Sequence, residues 1–221
     1  MERGILKINL IKKIFLKKIL IVYLVLLFFS SCTKSSDQPF GIASRHHLAT
    51  DIGMNILLEG GNAVDAAVAV SFALAVVNPS AGNIGGGGFM LIHLSETDKT
   101  IALDYRERAP IKSFENMFLD DNERVIEGLS LNSTLASGVP GTVSGMFYAS
   151  KKFGSMNIEK LISPSIKIAR NGFNLSEFQA KNLNKYRGKF LKNIEAKQIF
   201  TKPNGFKEGD VLIQKNLANT L

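Results

Sequence analysis

Apolar residues recur along this chain at different spacings, and each spacing predicts a different element. From His47 they fall at Leu48, Ala49, Ile52, Ile56 and Leu57, a helical period that leaves one buried stripe. Gly60-Gly61 closes that helix, because glycine accepts the left-handed conformation at a helix C-terminus. Asn62 caps a second helix, with Asp65 in its first turn, where a carboxylate suits the helix dipole. The second helix, residues 63–77, is interrupted only by Asp65 and Ser71. Apolar all round, it predicts burial on every side. At ~1.5 Å per residue it spans roughly 22 Å, short of a ~30 Å hydrocarbon core, so it reads as a core helix. Asn78-Pro79 stops it.

The period then falls to two. Residues 89–94 form a continuous apolar strand with His93 inside it. Residues 100–106 alternate, with Ile101, Leu103 and Tyr105 on one face and Ala102, Asp104 and Arg106 on the other. The short polar stretch between them allows an antiparallel hairpin. Residues 41–44 are a further, short strand candidate. Pro140-Gly141 signals a turn, and Thr142 is placed to cap a helix running toward Phe153. Two more helices are predicted over 158–170 and 176–190, the latter basic on its outer face. Residues 210–221 read as a strand or turn leading into a helix that lacks a stop signal. The expectation is a chain that breaks off inside an element, as a truncated protein or a fragment would.

At 221 residues and 45% hydrophobic content, the chain makes one large domain or most of one. Its formal charge of +8 invites a polyanion partner, but the placement of that charge weakens the idea. Arg3, Lys7, Lys12, Lys13, Lys17 and Lys18 stand against Glu2 alone in residues 1–32, which leaves only +3 for the rest. No nucleic-acid partner is expected. The basic stretch leads into an uncharged apolar run, residues 19–29, then Ser30-Ser31-Cys32. At ~1.5 Å per residue the run is roughly 17 Å long, too short to span a ~30 Å core comfortably but suited to a signal peptide. With one Cys in the chain, no intrachain disulfide can form and the fold must rest on its core. Residues 1–32 are thus a predicted signal peptide, 33–40 a polar tether and 41–221 the body, exported to the periplasm or outer surface. The junction resembles a bacterial lipoprotein signal, which implies a lipidated Cys32 and a membrane-anchored product. An ordinary secretory signal and a retained membrane anchor are the other readings of the same segment.

Candidate chemistry concentrates between Asn78 and Pro110. The glycine run 85–88 is not a phosphate loop, because it feeds a strand and no Gly-Lys-Ser/Thr follows. It either permits tight backbone packing between the buried helix and the sheet or shapes a pocket. Arg106 offers a planar pair of donors that fits a carboxylate bidentately; a strand-end ion pair with Asp104 or Glu107 is the structural alternative. Glu107 and Arg108 read as structural charges. His46, His47 and His93 do not have metal-ligand spacing, and no carboxylate or Cys accompanies them, so no metal site is expected. Gly-x-Ser-x-Gly is absent. No nucleophile with a positioned base is evident anywhere, so no catalytic residue is assigned.

The stretch from Asn78 to Arg106 (Asn-Pro-Ser-Ala-Gly-Asn-Ile-Gly-Gly-Gly-Gly-Phe-Met and onward to Asp-Tyr-Arg-Glu) resembles the γ-glutamyltransferases, or glutathione hydrolases. Gly-Gly-Asn-Ala-Val-Asp-Ala-Ala-Val-Ala at 60–69 and Ser-Gly-Val-Pro-Gly-Thr-Val at 137–143 match that family in order and spacing. The resemblance runs from about residue 41 to 221, as the N-terminal part of a large subunit. It implies an α+β fold, the four-layer αββα sandwich of N-terminal-nucleophile hydrolases, with the 47–77 helix pair covering a sheet that contains 89–106. It implies that Arg106 grips the α-carboxylate of a γ-glutamyl group, with Asp104 orienting the guanidinium. It further implies a self-cleaving precursor whose freed threonine, at the start of a downstream small subunit, is the nucleophile. Thr134, Thr142 and Thr220 do not sit in that context. The intact enzyme would act on glutathione and other γ-glutamyl compounds, with water, amino acids or dipeptides as acceptors and without a metal or organic cofactor. Two alternatives stay open: a related acylase or amidohydrolase on the same scaffold, and a catalytically dead surface lipoprotein left by a disrupted gene.

Overall fold

The computed structural model describes residues 40–221. The predicted signal peptide, Cys32 and nearly all of the tether lie outside the described residues. The body opens on a helical hairpin. Helix α1, His47–Leu58, is capped by the His46 side chain, which accepts from the Leu48 amide, and buries Ala49, Ile52 and Ile56. Gly60 takes φ +91°, the left-handed turn that reverses the chain. Helix α2, Ala63–Val77, starts with a capping box in which Asn62 and Asp65 satisfy each other's backbone amides.

Helix α2 is the core of the molecule. Val68, Ala69, Ala73, Val76 and Val77 are fully buried, packed between α1 and later helices. Burial is not complete on every side: Ala67 is exposed, and Val70 and Leu74 are half-buried. Strands β1, Phe89–Leu94, and β2, Lys99–Asp104, form the expected antiparallel hairpin, with Ile92 opposite Ile101. Its inner face puts Ile92 in the core with Met90, Leu94, Leu103 and Tyr105 against it. Its outer face is open, with Phe89 64% and Leu91 75% exposed. β2 ends two residues earlier than predicted, so Arg106 stands just beyond the strand.

A long excursion follows, holding the short helix α3, Leu129–Asn132, and a 3-10 turn, Thr134–Ala136, neither with a buried residue. Helix α4, Thr142–Phe153, returns the chain to the core through Met146 and Ala149. Thr142 is not its cap. Gly141 takes that position without a side-chain bond, and the Thr142 hydroxyl is engaged elsewhere. Helix α5, Ile158–Asn171, packs along α2, and strand β3, Phe173–Asn174, follows it. The predicted 176–190 helix is two pieces: α6, Glu177–Lys185, and α7, Arg187–Phe190, parted at Tyr186. At the break the Tyr186 amide bonds to the carbonyls of Asn182 and Asn184, and the Asn184 side chain beside it is bonded to both the amide and the carbonyl of Phe206. Helix α8, Ile194–Phe200, then strand β4, Val211–Leu212, and helix α9, Lys215–Thr220, complete the order. β3 pairs with β4. Residues 41–44 are not a strand; Ser44 instead bonds to Thr50 and to the His46 carbonyl ahead of α1. The result is a mixed α+β arrangement, helices backing a two-stranded ribbon.

Candidate functional site

The motifs singled out in the sequence meet at one place, the exit of β2. Tyr105 continues the ribbon pairing, its amide donating to the Gly88 carbonyl at 3.0 Å. Gly86 then receives the start of α4, with its carbonyl accepting from the amides of Gly141 at 2.8 Å and Thr142 at 3.0 Å. Asn83 ties the two together, because its Oδ1 accepts from the Gly86 amide at 2.9 Å and from the Thr142 hydroxyl at 2.7 Å. Arg108 and Val139 exchange main-chain bonds of 3.1 and 2.8 Å on the far side. The glycine run, the Asp-Tyr-Arg-Glu segment and the Val-Pro-Gly-Thr turn therefore form one hydrogen-bonded junction.

The glycines are needed there for close approach, and against a different neighbour from the one expected. A Cβ on Gly87 would lie 2.7 Å from the Arg106 Cα, the Glu107 amide nitrogen and the Tyr105 carbonyl oxygen. A Cβ on Gly145, in α4, would strike the Tyr105 ring. Gly88 also faces that ring. The run thus seats the 105–107 segment, whereas Gly82, ahead of the run, is pressed against helix α2 under the Leu74 carbonyl. Burial pushes the Tyr105 phenol above its ordinary value, which keeps it a neutral donor; its hydroxyl donates to the Phe89 carbonyl at 3.3 Å.

Arg106 rises from this seat at the edge of an open cleft of about 380 Å³ between β2 and α4. Its Nε lies 3.6 Å from a Glu107 carboxylate oxygen, and its guanidinium carbon sits 5.8 Å from the centre of the Phe89 ring. Among the described residues, its two terminal nitrogens have no hydrogen-bond partner. The expected aid from Asp104 takes another form. The carboxylate accepts from the Arg106 main-chain amide at 2.9 Å, so it fixes the backbone and leaves the guanidinium alone. Glu107 braces one edge of the fork and the other edge is open to a planar anion.

Two of the three threonines weighed above are occupied structurally. The Thr142 hydroxyl is bonded to Asn83, and that of Thr220 donates to the Asn216 carbonyl. Stacked His46 and His47, 4.6 Å apart, lie at the start of α1, while His93 faces Thr100 and Asp98 on the ribbon. Among the described residues no three His, Cys, Asp or Glu side chains converge as metal ligands.

Asp65, whose place in the sequence predicts only a helix-start charge, does more. Asp65 is fully buried and accepts from the Asn62 amide, the Ser155 amide and hydroxyl, and the Met156 amide at 2.7–3.2 Å. Burial alone would raise its carboxyl, but the bonds from Ser155, Asn62 and Met156 outweigh it and hold the group below the ordinary value. The clamp joins α2 to the turn between α4 and α5. Its signal in the sequence is an acid inside an otherwise apolar helix; the partner, some ninety residues on, is not visible there.

The fold, helices backing a ribbon that carries this junction, is that of the N-terminal portion of an N-terminal-nucleophile hydrolase; the described residues hold two two-stranded sheets rather than the two stacked sheets of the full sandwich. It matches Helicobacter pylori γ-glutamyltranspeptidase with a TM-score of 0.81 and 48% identity, over 85% of this chain and 54% of that one. The Bacillus anthracis transpeptidase enzyme CapD matches at 0.64 and 34%, over 82% of this chain and 56% of that one. The family model described as Gamma-glutamyltranspeptidase matches residues 49–221, and the chain belongs to that family. The glutathione hydrolase proenzyme of Escherichia coli K12 is 50% identical over 81% of this chain, and that of Pseudomonas sp. A14 46% over 85%. The chain spans about a third of the length of these two relatives, 31% and 34%.

Proposed function

We propose that this chain is the N-terminal part of the large subunit of a γ-glutamyl-transferring glutathione hydrolase, and that Arg106 is its handle on the substrate. One observation carries the substrate assignment: a guanidinium seated by glycines at a cleft edge, with its outer nitrogens unpartnered. A free α-carboxylate is the planar anion that fits that fork. In the intact precursor a threonine beyond this chain, freed by self-cleavage, attacks the γ-carbonyl and expels the amine of the leaving peptide. Water then releases glutamate, or the amine of an amino acid or dipeptide takes up the γ-glutamyl group. Arg106 holds the donor through its far end and takes no part in bond making. The curated relatives, named for glutathione hydrolysis, favour this reading over an acylase on the same scaffold.

The experiment uses the complete precursor. Removing one partner of a desolvated, hydrogen-bonded charge pair costs about 2–5 kcal/mol. At ~1.4 kcal/mol per decade, Arg106→Ala lowers kcat/KM for a γ-glutamyl donor by roughly 30-fold to several thousand-fold. Arg106→Lys recovers little, because a point charge does not span both oxygens. Self-cleavage proceeds as in the parent. A donor lacking the α-carboxylate loses about as much on the parent as the mutation costs. Turnover by parent and Arg106→Ala within a few-fold of each other would show that Arg106 is a structural partner of Glu107 only.

We further propose that the chain is exported and that Cys32 is its lipidated mature N-terminus. Basic residues, a short apolar core and Ser-Ser-Cys support this. Mass spectrometry of the mature protein decides it: an unmodified start downstream of Cys32 replaces the lipoprotein with an ordinary secretory signal.

A further inference from the structure

Charge within the body is as uneven as it is between body and leader. Residues 181–207 hold eight basic side chains against Glu195 alone, while the rest of 41–221 carries an excess of acids. Lys181 is paired with Glu177, and Lys202 with Asp210. Among the described residues, Lys185, Arg187, Lys189, Lys192 and Lys197 have no acidic partner, and all five are exposed. They stand on α6, α7, α8 and the turns between them.

Apolar side chains are interleaved with these cations and face solvent too. Phe178 is 66% exposed, Leu191 43% and Ile194 78%. Lys185 and Lys189 lie 5.5 and 5.8 Å from the centre of the Tyr186 ring. Phe178, Tyr186, Phe190 and Phe200 line an open groove of about 370 Å³, with Lys189 at its rim.

Three kinds of occupant differ in what they ask of such a surface. The buried centre of a protein interface is depleted of lysine, so a face with a cation every few residues does not suit one. The outer face of the β1–β2 ribbon, with bare Phe89 and Leu91, is of that other, protein-covered type. A nucleic-acid backbone would satisfy the cations but gains nothing from Leu191 and Ile194. An anionic bilayer satisfies both: phosphate headgroups take the lysines and arginine, and the headgroup–acyl boundary takes aromatic and aliphatic tips.

We propose that the 177–200 arm is a docking surface for anionic phospholipid bilayers. Phe178, Tyr186, Leu191 and Ile194 enter the boundary, and Lys185, Arg187, Lys189, Lys192 and Lys197 meet the phosphates. The proposal rests on this surface and is independent of the catalytic reading and of the fate of Cys32.

The chain contains no tryptophan, which allows a readout local to the arm even when the leader also holds the protein on a membrane. In the full chain carrying Tyr186→Trp, vesicles of equal phosphatidylcholine and phosphatidylglycerol shift the emission to the blue, and brominated acyl chains quench it. Pure phosphatidylcholine vesicles do neither. Each cation lost weakens the arm's partitioning about fivefold, so Lys185→Glu/Lys189→Glu/Lys192→Glu in the same background abolishes both signals. Salt at about 1 M, where the Debye length is ~3 Å, does the same. If the triple variant loses the parent's circular dichroism spectrum, the two vesicle compositions on the parent background still decide. Protein bound to anionic vesicles with unshifted, unquenched emission overturns the proposal. So does a shift equally produced by a DNA oligonucleotide and insensitive to brominated lipid, which would assign the arm to a polyanion.

Discussion

Asp65 and Arg106 put a charge to opposite uses. The carboxylate is fully buried and saturated by four donors from two separate segments, with no cation beside it. The guanidinium is exposed, braced on one edge by Glu107, and unbonded on the other. One charge is consumed by the fold; the other is kept available by it. What separates them is the backbone around each. Asp65 meets amides that point inward from a cap and a turn, whereas Arg106 rides on a segment whose own amide is already taken by Asp104.

The largest effect expected from this contrast is on stability. Asp65→Ala removes the acceptor of the charge-assisted bonds from the part-buried amides of Asn62, Ser155 and Met156 and from the Ser155 hydroxyl, at about 3–5 kcal/mol in all. Urea unfolding followed by circular dichroism measures it. Arg106→Ala, on the same assay, costs no more than about 0.5 kcal/mol, while the loss of turnover proposed for it in the complete precursor is the large effect. A variant pair that failed to separate in this way would erase the distinction. Next in size is Gly87→Ala, whose Cβ must displace the 105–107 backbone. Overpacking of this kind costs about 1–3 kcal/mol, and because the displaced atoms include the Arg106 Cα, the role proposed for that residue predicts that KM of the complete precursor for a γ-glutamyl donor rises with it. Gly85→Ala, where a Cβ meets open space, is the control and leaves KM unchanged.

Two pH effects sharpen the same point. The Asp65 carboxyl is held below its ordinary 3.8 in the fold, so its stabilisation is complete above that value and drains away as pH falls through the folded-state pKa. Asp65→Asn flattens that acid limb. The smallest effect is at His46, whose imidazole is pushed below 6.5 by burial, then by the charge of His47, with Gln179 opposing. The neutral ring caps α1; its contribution is full above 6.5 and declines as pH drops toward the folded-state pKa. His46→Asn keeps a capping acceptor without the titration, so the melting temperature between pH 7.5 and 5.5 falls less than in the parent, by an amount worth under about 1 kcal/mol.

Local chemistry made much of this legible in advance. The bounds of α2 and β1 coincide with the prediction because each end is marked locally: Asn62 caps α2 and Asn78-Pro79 stops it, while the glycine run and a polar turn bracket the apolar run of β1. Three departures involve neighbours distant in sequence. The helix predicted over 176–190 parts at Tyr186, next to the Asn184–Phe206 contact; residues 41–44 have no neighbouring strand among the described residues; and Thr142 turns its hydroxyl to Asn83. At the candidate site, Arg106 was legible as a residue type in a motif. Its seat was not, since which backbone presses on Gly87 depends on the ribbon register and on the return of α4.

That return has a kinetic side. Asn83 and Thr142 are 59 positions apart, and residues 111–136 between β2 and α4 contain no buried side chain. The intervening excursion therefore offers no intermediate core on which to assemble, and the contact must be won by closing a long loop in one step. Closure entropy grows only logarithmically, about 0.6 kcal/mol per doubling, so the excursion tolerates lengthening, yet contacts of such separation form late. The helical hairpin, whose contacts are local, precedes it. The backbone that carries Arg106 is thus seated against Gly87 and the start of α4 only at the close of folding, after the core that bears it is already set.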